Sequence, residues 1–235
     1  MHDFRFPNET DDYREARDEL LAAEVELRRR TEAVAGLRRA LPPGGVVAED
    51  YAFRDLDGAT TRMSDLFTHG RDTLIVYSLM FGPDDERPCP SCASIADGLD
   101  GAAPHMSARV GFVFVAKAAP ERIAALADER GWRHLRLLSS EGNTYNRDYL
   151  GETPEGAQMP MLNVFRRDGA AIRHFWGSEL LKGGADEGQN ERHVDNFWPI
   201  WALADVTPDG RPGADDYSWP ALEYDALRAV GTIRG

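Results

Sequence analysis

Residues 73–92 read TLIVYSLMFGPDDERPCPSC. The first eight, Thr73 to Met80, form a continuous apolar run of strand length, the pattern of a strand buried on both faces. A polar, proline-bounded excursion follows, Phe81 to Pro88, and then Cys89-Pro90-Ser91-Cys92. These are the only two cysteines among 235 residues. Two residues three apart in the first turn of a helix share one face, with Cα atoms roughly 5–6 Å apart, inside the disulfide window. Pro90 suits the first helical position, where its missing N–H is not needed. Cys89 would then sit at the helix N-terminus, where unpaired N–H groups and the helix dipole favour a thiolate. Cys92 would lie one turn in and more buried. Such a couple can exchange disulfides: Cys89 attacks and Cys92 resolves.

Other uses of the pair stay open at this point. A structural zinc site needs four N or S ligands. Twelve residues separate His105 from Cys92, but the next ligand should fall near 109–111, where the chain reads Arg-Val-Gly. The remaining histidines are scattered singly, so no metal is expected. Acyl transfer would need a histidine base, and His134 and His174 stand near strand ends without a spacing that promotes them. An inert core pair is the third alternative.

Outward from this segment, strands and helices alternate. Arg109–Ala116 is a second buried strand, Pro120–Arg130 a helix closed by Gly131, and Arg133–Leu138 a third strand. Between Cys92 and Met106 the pattern predicts a helix with a break near Gly98 and Gly101. Met159-Pro160 opens a hairpin that turns at Asp168-Gly169 and runs to Trp176. Upstream, Tyr51-Ala52-Phe53 and the Asp57-Gly58 turn predict short strands, and Met63–Phe67 a helical turn. Phe112, Phe114, Phe165, Phe175 and Trp176 read as core or sheet-face residues. Trp198 and Trp201, three apart on a predicted helix from about 190 to 204, read as a packing stripe.

Residues 9 to about 41 predict one long helix, capped by Thr10, Asp11 or Asp12 and ended by Pro42-Pro43-Gly44-Gly45. Leu20, Leu27, Val34 and Leu41 recur every seven residues, with Arg30 interrupting the alternate slots. That seam is shorter than a coiled coil needs. It predicts a helix lying on its own domain, with a homodimer contact as the alternative. The expected organisation is a helical extension over 1–45, a sheet domain over 46–205 and a C-terminal extension over 206–235.

Composition narrows the partners. Forty acidic against 27 basic residues give a net charge of −13, which repels nucleic acid and anionic membrane surfaces. Only Lys117 and Lys182 are lysines, and no basic aromatic stripe stands out. No Gly-rich phosphate loop is present, so no nucleotide cofactor is expected. The N-terminus lacks a basic segment followed by an apolar one, and no run suffices for a membrane span. A cytoplasmic protein is expected, where a lone cysteine pair is more often catalytic or metal-binding than a structural staple.

The strand leading into CPSC, and Met159-Pro160 leading into the Asp168-Gly169 hairpin, resemble the thioredoxin-like fold. This resemblance implies an α/β fold: a mixed sheet flanked by helices, here with a long N-terminal helix and a C-terminal extension. It implies a cis Met159–Pro160 bond facing the cysteines. It also implies a Met159 backbone that pairs with an extended substrate, beside Pro90 and Ser91. The pieces YAF…DG, LMFGPD, CPSC, MPMLNVF and W…DVTPDGR resemble a bacterial thioredoxin-like family catalogued as a domain of unknown function, over about residues 40–212. The implied activity is thiol–disulfide exchange with a protein or small-molecule disulfide or thiol. A redox-sensing or protein-binding module without turnover is the alternative.

The chain departs from thioredoxins in three ways. Pro-Ser stands between the cysteines, and Phe81–Pro88 is inserted before them. The strand carries no carboxylate, leaving Asp84 and Asp85 as candidate proton acceptors. Asp84, Asp85 and Glu86 would raise the Cys89 pKa and Arg87 would oppose them, so the net sign is open. Glu86 occupies the place where a peroxiredoxin carries Thr or Ser, so the peroxidase motif is absent.

Overall fold

A computed structural model describes residues 4–68, 70–184, 187 and 197–211. The chain divides into two compact units, Met1–Pro43 and Gly44–Gly235.

The first unit is built on α1, Asp11–Arg39. Thr10 caps it by accepting the Tyr13 N–H at 3.2 Å. Asp11 and Asp12 in the first turn and Arg38 and Arg39 in the last complement the helix dipole. Arg30, which breaks the apolar seam, pairs with Glu26 at 3.1 Å. Leu41 falls beyond the last helical residue, so the seven-residue seam keeps Leu20, Leu27 and Val34.

The second unit is a seven-stranded mixed sheet. In chain order come β1 (Ala52–Asp55), β2 (Thr60–Arg62), a 3-10 turn (Met63–Leu66) and β3 (Thr73–Ser78). Then come α2 (Pro90–Asp100), α3 (Ala103–Ser107), β4 (Gly111–Ala116), α4 (Pro120–Arg130), β5 (Arg136–Ser139) and α5 (Tyr145–Asp148). The hairpin β6 (Met161–Asp168) and β7 (Ala171–Gly177) follows, and α6 (Pro199–Ala204) is the last described element. The strand order is β2-β1-β5-β4-β3-β6-β7. β3 runs parallel to β4, and β4 to β5; β6 runs antiparallel to β3, and β7 to β6. Parallel β3 and β4 joined through α2, with an antiparallel hairpin added on the far side of β3, is the thioredoxin-like arrangement.

Strand alternation splits the core in two. Leu74 and Val76 of β3, with Val113 and Val115 of β4, pack against Tyr51, Phe53, Tyr145 and Phe165. Tyr77 of β3, with Phe112 and Phe114 of β4, faces the opposite way, toward α2 and α4. All six residues of β4 are buried, which explains its unbroken apolar run.

Two glycines take roles that spacing does not reveal. A Cβ on Gly44 would lie 2.0 Å from the His174 carbonyl oxygen, because residues 44–47 cover the outer edge of β7. The Val47 N–H donates to Ile172 O, and the His174 N–H to Gly45 O. The expected helix break falls at Gly101, between α2 and α3, while Gly98 does not break α2, which runs on to Asp100. It admits α6, whose Pro199 Cδ would be 3.0 Å from a Cβ there.

One expectation is overturned. The described peptide bonds are all trans, so Met159–Pro160 is not cis. Met159 is fixed from its N-terminal side, its N–H bonded to Gly151 O at 3.0 Å after the bridge between Glu152 and Gln158. From there the chain enters β6 in the trans form, which X-Pro bonds favour by about 0.5–1 kcal/mol. Of the helix expected from about 190 to 204, Pro199–Ala204 is seen; residues 188–196 lie outside the described residues. The C-terminal extension from 212 onward lies outside them too.

Candidate active site

The site is assembled where β3 ends. Leu79 continues the sheet, its N–H donating to Val115 O at 2.8 Å. The chain then leaves on the Phe81–Pro88 excursion and returns so that the Cys89 N–H donates to Met80 O at 2.9 Å. The excursion is thus a loop closed at its base, and Cys89 stands in space directly after the strand. Arg122 of α4 fixes the loop. Its guanidinium lies 4.6 Å from the Phe81 ring centre and donates to the carbonyls of Gly82, Pro83 and Asp85.

Cys89 is the N-cap residue of α2, with extended backbone (φ −56°, ψ 124°) and Pro90 beginning the helix. The first helical bond runs from the Ala93 N–H to Cys89 O at 3.0 Å. Both cysteines are free thiols, Cys89 half-buried and Cys92 buried. The Cys92 thiol donates toward Cys89, and this is the largest influence holding the Cys89 pKa down to about 6. Burial opposes it, while the backbone N–H groups of Cys92 and Ser91 add to it. Cys92 is pushed well above its ordinary value by the same coupling and by burial, against a hydrogen bond from Tyr77. The pair is therefore asymmetric: an accessible thiolate at the helix end and a protonated thiol beneath it.

Beneath Cys92 lies a residue that sequence reading missed. The Tyr77 hydroxyl is 3.3 Å from Cys92 Sγ, inside the core. Its signal was present in the chain: a hydroxyl on a strand otherwise buried on both faces must find a partner. Arg122 gave no comparable signal, since its role depends on carbonyls some 40 positions away in sequence.

Asp84, Asp85 and Glu86 are all exposed. The Asp85 carboxylate accepts the Gly82 N–H at 2.6 Å, and Arg87 pairs with Glu129 at 2.9 Å. None of the four is among the chief influences on Cys89, whose thiolate is favoured beside three carboxylates by the Cys92 thiol and the N–H groups of the helix start.

Pro160 and Met159 stand at the same end of the sheet. Met161 of β6 pairs with Ser78 of β3, so Pro160 falls beside the strand's exit toward Cys89. The approach of Gln158 to the loop confirms the neighbourhood: its Cγ would be 3.2 Å from a Cβ on Gly82. Met159 and Pro160 are half-buried, Ser91 is half-buried and Pro90 is exposed.

The back of α2 is held by the last described helix. Trp198 Nε1 donates to Ser94 Oγ at 3.0 Å, and Trp198 packs edge-on against Trp201. Both indoles join the core cluster that contains Cys92. Among the described residues, no three His, Cys, Asp or Glu side chains gather as a metal-holding group. No described helix is long and apolar enough to cross a membrane.

Comparison with known proteins gives a family and a set of distant structural neighbours. The model of a family described as "bacterial protein of unknown function (DUF899)" matches residues 4–225. No curated protein matches the chain. Among solved structures, peroxidoxin BcpB from Mycobacterium tuberculosis is 19% identical, with a TM-score of 0.44 over 71% of this chain and 99% of its own. Peroxiredoxin Q from Xanthomonas campestris is 13% identical, with a TM-score of 0.45 over 67% and 94% of the two chains. An uncharacterized conserved protein from Geobacillus kaustophilus is 20% identical, with a TM-score of 0.42 over 59% and 69%.

Proposed function

This chain belongs to the DUF899 family of bacterial proteins, and we propose that it is a thiol–disulfide oxidoreductase working through Cys89 and Cys92. One observation carries the reading: a half-buried thiol with its pKa near 6, at the start of a helix, coupled to a second thiol buried one turn below. That is the division of labour disulfide exchange requires.

The Cys89 thiolate attacks a substrate disulfide. One sulfur–sulfur bond forms to Cys89 and the substrate's own bond breaks, its leaving sulfur taking the electron pair and then a proton. Cys92 next loses its proton and attacks Cys89 Sγ. The Cys89–Cys92 disulfide forms, and the second substrate sulfur leaves reduced. An external dithiol returns the pair to its starting state.

The substrate is a protein or small-molecule disulfide. Its chain would lie across Pro90, Ser91, Met159 and Pro160, at the end of the sheet where β3 exits and β6 begins. The Met159 N–H is committed to Gly151, so its carbonyl is the group offered to an incoming strand. Asp84 and Asp85, exposed on the loop, are the candidate acceptors that pass the released proton to solvent. A reducing compartment such as the cytoplasm is the setting this chemistry suits.

The test is a redox titration in glutathione buffers, with thiols counted by mass after alkylation, alongside turnover of a disulfide substrate with a dithiol reductant. A reversible two-electron transition with turnover is expected. A pair that never closes into a disulfide would overturn the proposal. A transition without turnover would replace it with the redox-sensor reading.

A further inference from the structure

We propose that the Tyr77 hydroxyl readies the buried Cys92 thiol for the resolving step, a role that rests on the oxidoreductase reading above. The resolving sulfur must ionise to attack, yet it lies in the core, where a thiolate is disfavoured. Tyr77 supplies a hydrogen bond to that sulfur at 3.3 Å. Each partner is only 1% exposed, so water does not substitute for the contact.

The placement is rigid on both sides. Tyr77 lies within β3, paired with Phe114 of β4 on one flank and Leu162 of β6 on the other. Its ring packs on Phe114 at 5.0 Å between centres. Cys92 is fixed within the first turns of α2. A donor held on a central strand and an acceptor held on a packed helix need no rearrangement as charge develops. A hydroxyl also adds no charge of its own. A carboxylate in this place would have to take up the proton; the phenol stabilises the thiolate and keeps its proton. The Cys92 proton leaves for solvent. Cys92 Sγ then bonds to Cys89 Sγ, the Cys89–substrate bond breaks, and the departing sulfur carries off the electron pair.

The test uses the full chain and its Tyr77→Phe variant, which removes one oxygen. Both are treated with 5,5′-dithiobis(2-nitrobenzoate) from pH 5 to pH 9 in a stopped-flow instrument. The first release of coloured thiolate reports attack by Cys89, and the second reports resolution by Cys92. Tyr77→Phe is expected to leave the first phase unchanged, slow the second about tenfold at pH 7 and move its midpoint to higher pH. A second phase that coincides with the wild type in rate and midpoint overturns the role of Tyr77 alone. A wild type with no second phase overturns the oxidoreductase reading, and this inference with it. Because a core variant can disturb packing, Tyr77→3-fluorotyrosine serves as the second probe. It keeps the hydroxyl and makes it a stronger donor, so the midpoint must move down; a midpoint that stays in place overturns the proposal.

Discussion

Replacing Cys92 by alanine isolates the interaction that does most to hold the Cys89 thiolate. With a pKa of about 6, Cys89 is about 90% ionised at pH 7, whereas an unassisted cysteine at about 8.5 is about 3% ionised. The thiolate fraction is thus about 30-fold larger at pH 7 and about 300-fold larger at pH 5. Each thiolate is also a weaker nucleophile, by about 10- to 20-fold for that drop in pKa. The net advantage is only about twofold at pH 7 but about 20-fold at pH 5, so alkylation must be compared at acid pH. In Cys92→Ala the donor is lost while the Ser91 and position-92 N–H groups remain. The Cys89 midpoint is expected to move up from about 6, and most of the pH 5 advantage in iodoacetamide alkylation is expected to vanish. Cys92→Ser, which keeps a donor, is expected to retain most of it. Thiolate absorbance near 240 nm gives the midpoint independently. If Cys92→Ala and the wild type titrate together, the coupling between the thiols is refuted as the cause. The linkage has a definite sign. A folded-state pKa held below the unfolded value contributes stability above the unfolded value, and that stability is lost as pH falls through about 6. The urea midpoint of the reduced protein therefore rises between about pH 6 and pH 8.5, and this slope is absent in Cys89→Ala.

Two further predictions concern the frame around the site. Burial pushes the Asp100 carboxyl up, but the N–H groups of His134, Leu135 and Arg133 outweigh it and hold the carboxyl below its usual range. Asp100→Ala is expected to lose about 1–2 kcal/mol in chemical denaturation, a partly exposed network falling at the low end for charged hydrogen bonds. The difference from wild type narrows as pH falls below about 4, where the carboxylate is protonated. Leu150, exposed at a left-handed φ of 61°, is strained; Leu150→Asn is expected to raise the melting temperature, gaining up to about 1 kcal/mol.

Most of the sheet was legible because its signals are local. Thr73–Ser78 and Gly111–Ala116 are buried on both faces and read as unbroken apolar runs. The Asp168-Gly169 turn announces the β6–β7 hairpin, and Gly131, at φ 75°, ends α4 as its sequence suggests. Gly98 was misread because helix propensity was its only visible property; its use is to let Pro199 approach from about a hundred residues away. The trans form of Met159–Pro160 was missed for a similar reason. The backbone bond to Gly151 that anchors this segment belongs to a loop folding back on itself.

The sequence by itself determined the elements, the placement of CPSC between a buried strand and a helix, and the asymmetry expected of two thiols one turn apart. Spacing and periodicity act within a few residues, and those features are that local. Only the tertiary structure decided what surrounds the sulfurs. It closed the Phe81–Pro88 loop at Met80, tied the Asp85 carboxylate to the Gly82 N–H, set Arg122 as the loop's clamp and put the Tyr77 hydroxyl against Cys92. Hydrogen bonds and burial depend on distance in space, and fifteen residues of chain separate Tyr77 from the sulfur it touches.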